Sequence, residues 1–191
     1  YELLGVDKPK LKTGGDYADD ITELILADGK SIPLDYPLTG GPILDLKDDR
    51  TIYLLKAKAQ GETIPLIFRC PYGKGEVIGL CFTYPHKQFL FGYPVEAHQA
   101  VRDLVSELTG FGINSRSKNI TLFVYEPDTI IVENFNDNEI EVEVNLPSNY
   151  VKDSQVMRDV LSGEELTLKK GEKGYTLTLF IPSRSYRIFS I

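Results

Sequence analysis

The chain has 191 residues, of which 42% are hydrophobic, and its 21 Lys plus Arg against 28 Asp plus Glu give a formal net charge of −7. That apolar content supports a core and excludes a disordered chain, while the acidic balance weighs against a nucleic acid held by counterion release. No run approaches the roughly 18 to 20 apolar residues of a membrane span, and the start lacks the three-part pattern of a signal peptide, so the chain reads as soluble.

Tyr1-Glu2-Leu3-Leu4-Gly5-Val6 reads as the last turn of a helix stopped by Gly5, with no capping residue before it, as though the chain begins within a fold. Residues 11–20 read as loop. Glu23 to Leu26 and Lys30 to Leu34 flank Asp28-Gly29, which predicts a hairpin whose Asp-Gly supplies the positive φ of a primed turn. Pro33, Pro37, Gly40, Gly41 and Pro42 then punctuate a connecting segment. Thr51 to Ala59, Thr63 to Cys70 and Glu76 to Phe82 are strand-length runs with short connections, an antiparallel meander. Val77 to Phe82 is apolar on both alternating faces, so it is expected at the centre of the sheet.

One helix follows. Pro94 suits its first turn, Val95, Val101, Leu104, Val105 and Leu108 recur at helical spacing, and Gly110 is placed to stop it; it is expected to cover one face of the meander. After Asn114 the texture changes to short alternating strands: Ile120 to Val124, Thr129 to Asn134, Ile140 to Leu146, Val156 to Leu161, Glu165 to Leu168, Tyr175 to Ile181 and Tyr186 to Phe189. Hairpin turns are expected at Asn136-Asp137-Asn138 and at residues 170–174. The alternation Glu139-Ile140-Glu141-Val142-Glu143-Val144 sends one face to water and one to a core, as an antiparallel sandwich requires. Two domains result, residues 1–114 and 115–191, in a strand-rich α+β chain. Acidity is spread over both, since residues 116–191 hold 9 Lys plus Arg and 12 Asp plus Glu.

The chemistry-bearing residues are few. Cys70 and Cys81 flank the hairpin around residues 71–75; with Cys70 facing Glu76, Cys81 faces Pro65, roughly 17 Å along the ladder and too far for a disulfide. Both are expected to be free, buried thiols, which slightly favours a reducing, cytoplasmic compartment. Gly79-Leu80-Cys81-Phe82-Thr83 lacks the second glycine of a nucleophile elbow. His86 and His98 lack the spacing of a metal pair, so no metal or cofactor is expected. The acidic pairs Asp19-Asp20, Asp48-Asp49 and Glu164-Glu165 read as solvated turns rather than glycosidase carboxylates, and no catalytic residue is assigned. The loop from Thr83 to Pro94 concentrates aromatics, and Tyr84, His86, Phe89, Phe91 and Tyr93 are its candidate carbohydrate-binding residues, weighed against a plain role as interface plugs. Asn119-Ile120-Thr121 fits a glycosylation acceptor triplet.

Tyr72-Gly73-Lys74-Gly75-Glu76-Val77-Ile78-Gly79-Leu80 resembles the Gly-Lys-Gly hairpin and last strand of glutamine-amidotransferase-like domains, especially the degenerate version that follows the catalytic barrel in family 42 beta-galactosidases. Asp159-Val160-Leu161-Ser162-Gly163-Glu164 and Tyr186-Arg187-Ile188-Phe189 are similar to the small all-β domain that closes many such enzymes. The resemblance implies a partial amidotransferase-like α/β layer over residues 1–114 and a β-sandwich over 115–191. It also implies a non-catalytic, structural or oligomerising role beside a catalytic domain absent from these residues. Tyr84-Pro85-His86 stands where active amidotransferases carry His-Pro-Glu, so their catalytic residues do not carry over. Three readings follow: an ancillary region of a glycoside hydrolase, a carbohydrate-binding module using the 84–93 loop, and a cysteine-dependent hydrolase or amidotransferase using Cys81 with His86 or His98. The partners implied are the missing catalytic domain or other subunits, a second copy of the chain, and an oligosaccharide.

Overall fold

A computed structural model describes residues 21–38, 46, 49–59, 61–81, 92–125, 127–151 and 155–190. The helix end at residues 1–6, the loop at 11–20, Gly40 to Pro42 and most of the aromatic loop lie outside them. The chain divides into two compact units, residues 1–97 and 98–191. The described residues form a mostly β protein with three antiparallel sheets and one helix.

In the first unit, β1 (Ile21–Leu26), β2 (Ser31–Leu38), β3 (Ile52–Ala59), β4 (Glu62–Tyr72) and β5 (Gly75–Leu80) form one sheet in the order β2-β1-β3-β4-β5. The first turn is not the primed pair its Asp-Gly suggests. Leu26 N–H donates to Lys30 O at 2.9 Å, Gly29 N–H donates to Leu26 O at 2.9 Å, and Gly29 alone turns left-handed at φ 85°. This is the three-residue loop that ends on a left-handed glycine. Strand β2 continues past Leu34 through Pro37 into the segment expected above to be a connection; at the sheet's edge a missing N–H costs no ladder bond.

The run at 77–82, expected at the centre of the sheet, instead contributes its last described strand, and the middle place of the five belongs to β3. Ile64 to Phe68 are all buried, so β4 is covered on both alternating faces, whereas β5 is the last described strand of the sheet and leaves Leu80 55% exposed. The hairpin partners β4 and β5 both carry apolar runs, and sequence pattern alone does not say which of them has a further neighbour.

Helix α1 (Val95–Thr109) ends as its sequence implies: Gly110 takes φ 79° and its N–H donates to Ser106 O at 2.8 Å. Arg102 fixes the helix to the start of the second unit's strands, its guanidinium donating to the carbonyls of Ser117, Lys118 and Ile120 at 3.0, 3.3 and 3.0 Å.

The second unit is an antiparallel sandwich. β7 (Ile120–Tyr125), β8 (Thr129–Asn134), β10 (Val156–Asp159), β11 (Glu165–Thr167) and β14 (Ser185–Ser190) form one sheet in the order β11-β10-β14-β8-β7. β6 (Gly112–Asn114), β9 (Ile140–Pro147), β12 (Lys169–Lys170) and β13 (Gly174–Ile181) form the other, β12-β13-β9-β6. The inward positions of both sheets build one core, with Ile130, Val132, Val142, Val144, Leu177, Leu179 and Phe189 buried together.

The turn at residues 170–174 is a hairpin, with Gly171 N–H on Gly174 O at 2.8 Å. The turn at residues 136–138 is not, because β8 and β9 lie in different sheets, so this segment arches from one layer to the other. β13 and β14 are joined by a second arch. Asn134 ties the two: its Nδ2 lies 2.9 Å from Asn138 O, 3.0 Å from Ile181 O and 2.9 Å from Pro182 O, while its Oδ1 accepts the Asn136 N–H at 2.8 Å.

Candidate functional site

Of the five aromatic-loop candidates, Tyr84, His86, Phe89 and Phe91 lie outside the described residues. Tyr93 is described and is 1% exposed; burial pushes its phenol well above the usual tyrosine range. His98 is buried within α1. Among the described residues no group of three His, Cys, Asp or Glu side chains could hold a metal ion.

The cysteines meet the hairpin one register step from expectation. Cys70 faces Val77 rather than Glu76, and Cys81 N–H donates to Leu66 O at 2.8 Å, setting it beside Leu66 rather than Pro65. Neither cysteine is in a disulfide, and both are buried in one cluster with Phe68, whose strand position faces Gly79. Gly79 suits that place: a Cβ added to it would lie 2.2 Å from two carbons of the Phe68 ring, so the ring would have to move. The Thr51 hydroxyl donates to Cys70 Sγ at 3.7 Å. Burial raises the Cys81 thiol to about 11, so at neutral pH it is the protonated and poorly nucleophilic form that exists.

The second unit holds a cluster of paired charges. The β10–β11 turn is organised by Asp159, whose Oδ1 accepts the N–H groups of Leu161 and Ser162 at 2.9 and 3.1 Å. Arg187 on the neighbouring β14 donates from Nε to Asp159 Oδ2 at 2.6 Å and from a terminal nitrogen to Glu164 Oε2 at 2.5 Å, and its guanidinium lies 5.0 Å from the Phe189 ring centre. Burial alone pushes the Asp159 carboxyl up, but the Arg187 bond and the two backbone donors outweigh it and hold the acid below the ordinary aspartate range. For Arg187 burial works against the charge, and the two carboxylates reverse it, leaving the guanidinium more firmly protonated. The two sequence segments 159–164 and 186–189 thus meet in space. Nothing in their spacing along the chain signals this pairing.

Asn134 was also missed, although it left a signal. Ile130, Val132 and Asn134 share the inward-facing alternation of β8, and an amide in the last inward position calls for buried partners.

Two kinds of hollow open on the second unit. One is apolar, a groove of about 410 Å³ between α1 and β7, lined by Val101, Val105, Phe111, Leu122 and Val124 among others. Another, of about 810 Å³, is polar and bounded by Asp103, Glu107, Glu172 and Lys173. No described helix is long and apolar enough to cross a membrane.

A family model described as the third domain of the uncharacterised protein SSO3021 matches residues 89–177, from within the aromatic loop to the middle of β13. No curated protein matches the chain. Among solved structures, the beta-galactosidase from Bacillus circulans sp. alkalophilus is similar, at 14% identity and a TM-score of 0.49, with 98% of this chain covered. This chain spans 24% of the length of that enzyme.

Proposed function

We propose that this chain is a non-catalytic, structural region of a carbohydrate-active enzyme, a strand-rich first unit followed by a sandwich. The amidotransferase-like origin of its first half belongs to the same proposal, on the sequence resemblance of residues 72–80. The observation that carries the reading is the Arg187 clasp. The two segments whose sequence resembles the closing all-β domain of family 42 beta-galactosidases are one ion-paired unit, and their acids are spent on holding a turn. The rival cysteine chemistry loses support from a thiol that burial keeps protonated.

Steady-state assay of the purified chain on nitrophenyl glycosides, with its circular dichroism recorded in parallel, tests the proposal. Turnover no greater than a heat-denatured control is expected. Turnover by the folded chain would falsify it, and loss of that turnover in Cys81→Ser would install the cysteine reading instead. An oligosaccharide partner would engage the 84–93 loop through Tyr84, His86, Phe89 and Phe91 rather than the buried Tyr93. Shifts of those rings on sugar titration check this.

A further inference from the structure

We draw no further inference here: the strongest candidate, the apolar outward face of the second unit's five-stranded sheet, where Phe123, Ile131 and Ile188 stand side by side across β7, β8 and β14, carries nothing because nothing in the structure shows what covers it.

Discussion

At the residue scale, two positions do more than their size suggests. Gly79 is the floor on which the Phe68 ring rests, between the two thiols of the first unit. Gly79→Ala is expected to cost about 1 to 3 kcal/mol, because the ring must leave its place in a strand buried on both faces. A denaturant midpoint checks this, and Phe68→Leu added to Gly79→Ala should recover part of the loss by vacating the space. If Gly79→Ala leaves the midpoint unchanged, the ring is not seated there. Asp159 is the second position, 2% exposed and bound to Arg187 and two backbone donors. Its folded pKa is depressed, so on acidification the unfolded chain takes up this proton first and folding stability falls. The contribution is complete above about pH 4, the ordinary aspartate value, and is lost as pH drops toward the folded pKa. Asp159→Asn should therefore flatten this part of the stability profile. At neutral pH it should cost about 2 to 3 kcal/mol, less than a fully orphaned buried charge, since Glu164 still holds Arg187. Denaturant titrations from about pH 3 to about pH 7, the window around the ordinary carboxylate pKa, distinguish the two chains.

At the scale of elements, the arches are the decisive feature. The alternation of Glu139 to Val144 makes β9 legible from sequence, as do the runs that became β7, β8, β13 and β14, because each has one wet and one dry face. What alternation does not encode is the partner. A short polar turn between two such strands serves a hairpin or an arch equally well, so residues 136–138 read as a hairpin although they join different sheets. For the same reason the apolar run at 77–82 suggests a central strand, although among the described residues β5 pairs with β4 alone. Asn134 is the residue that distinguishes arch from hairpin, since its amide reaches carbonyls on both crossings. Asn134→Leu fits the apolar surroundings but strands those carbonyls and the Asn136 N–H. It is expected to lower stability by about 2 to 4 kcal/mol, and Asn134→Asp, which loses both amide donors, should do no better. A thermal midpoint near wild type in either variant would show that the arches hold without the amide.

At the scale of the whole molecule, the legible and illegible parts divide by physical cause. The sandwich follows from periodicity, whereas every strand pairing in the first unit is antiparallel among the described residues, so the α/β layer implied by resemblance finds no parallel pair there. The candidate sugar-binding loop stands out by composition, and composition does not fix which rings face water: Tyr93 is buried. The two units also build on separate apolar clusters, Phe68 with Cys70 and Cys81 in one, and Ile130, Val142, Leu179 and Phe189 in the other. Both cysteines belong to the first unit, so thiol labelling under native conditions reads the opening of that unit. When reclosing outpaces labelling, the rate follows the open population, about tenfold for each 1.4 kcal/mol lost. Gly79→Ala should therefore speed labelling of Cys70 and Cys81 by roughly fivefold to a hundredfold or more for the cost argued above. Asn134→Leu, which weakens the sandwich alone, should leave that rate within about twofold of wild type. If Asn134→Leu accelerates labelling as much as Gly79→Ala does, the two units open as one cooperative body and the separation of their clusters has no energetic meaning.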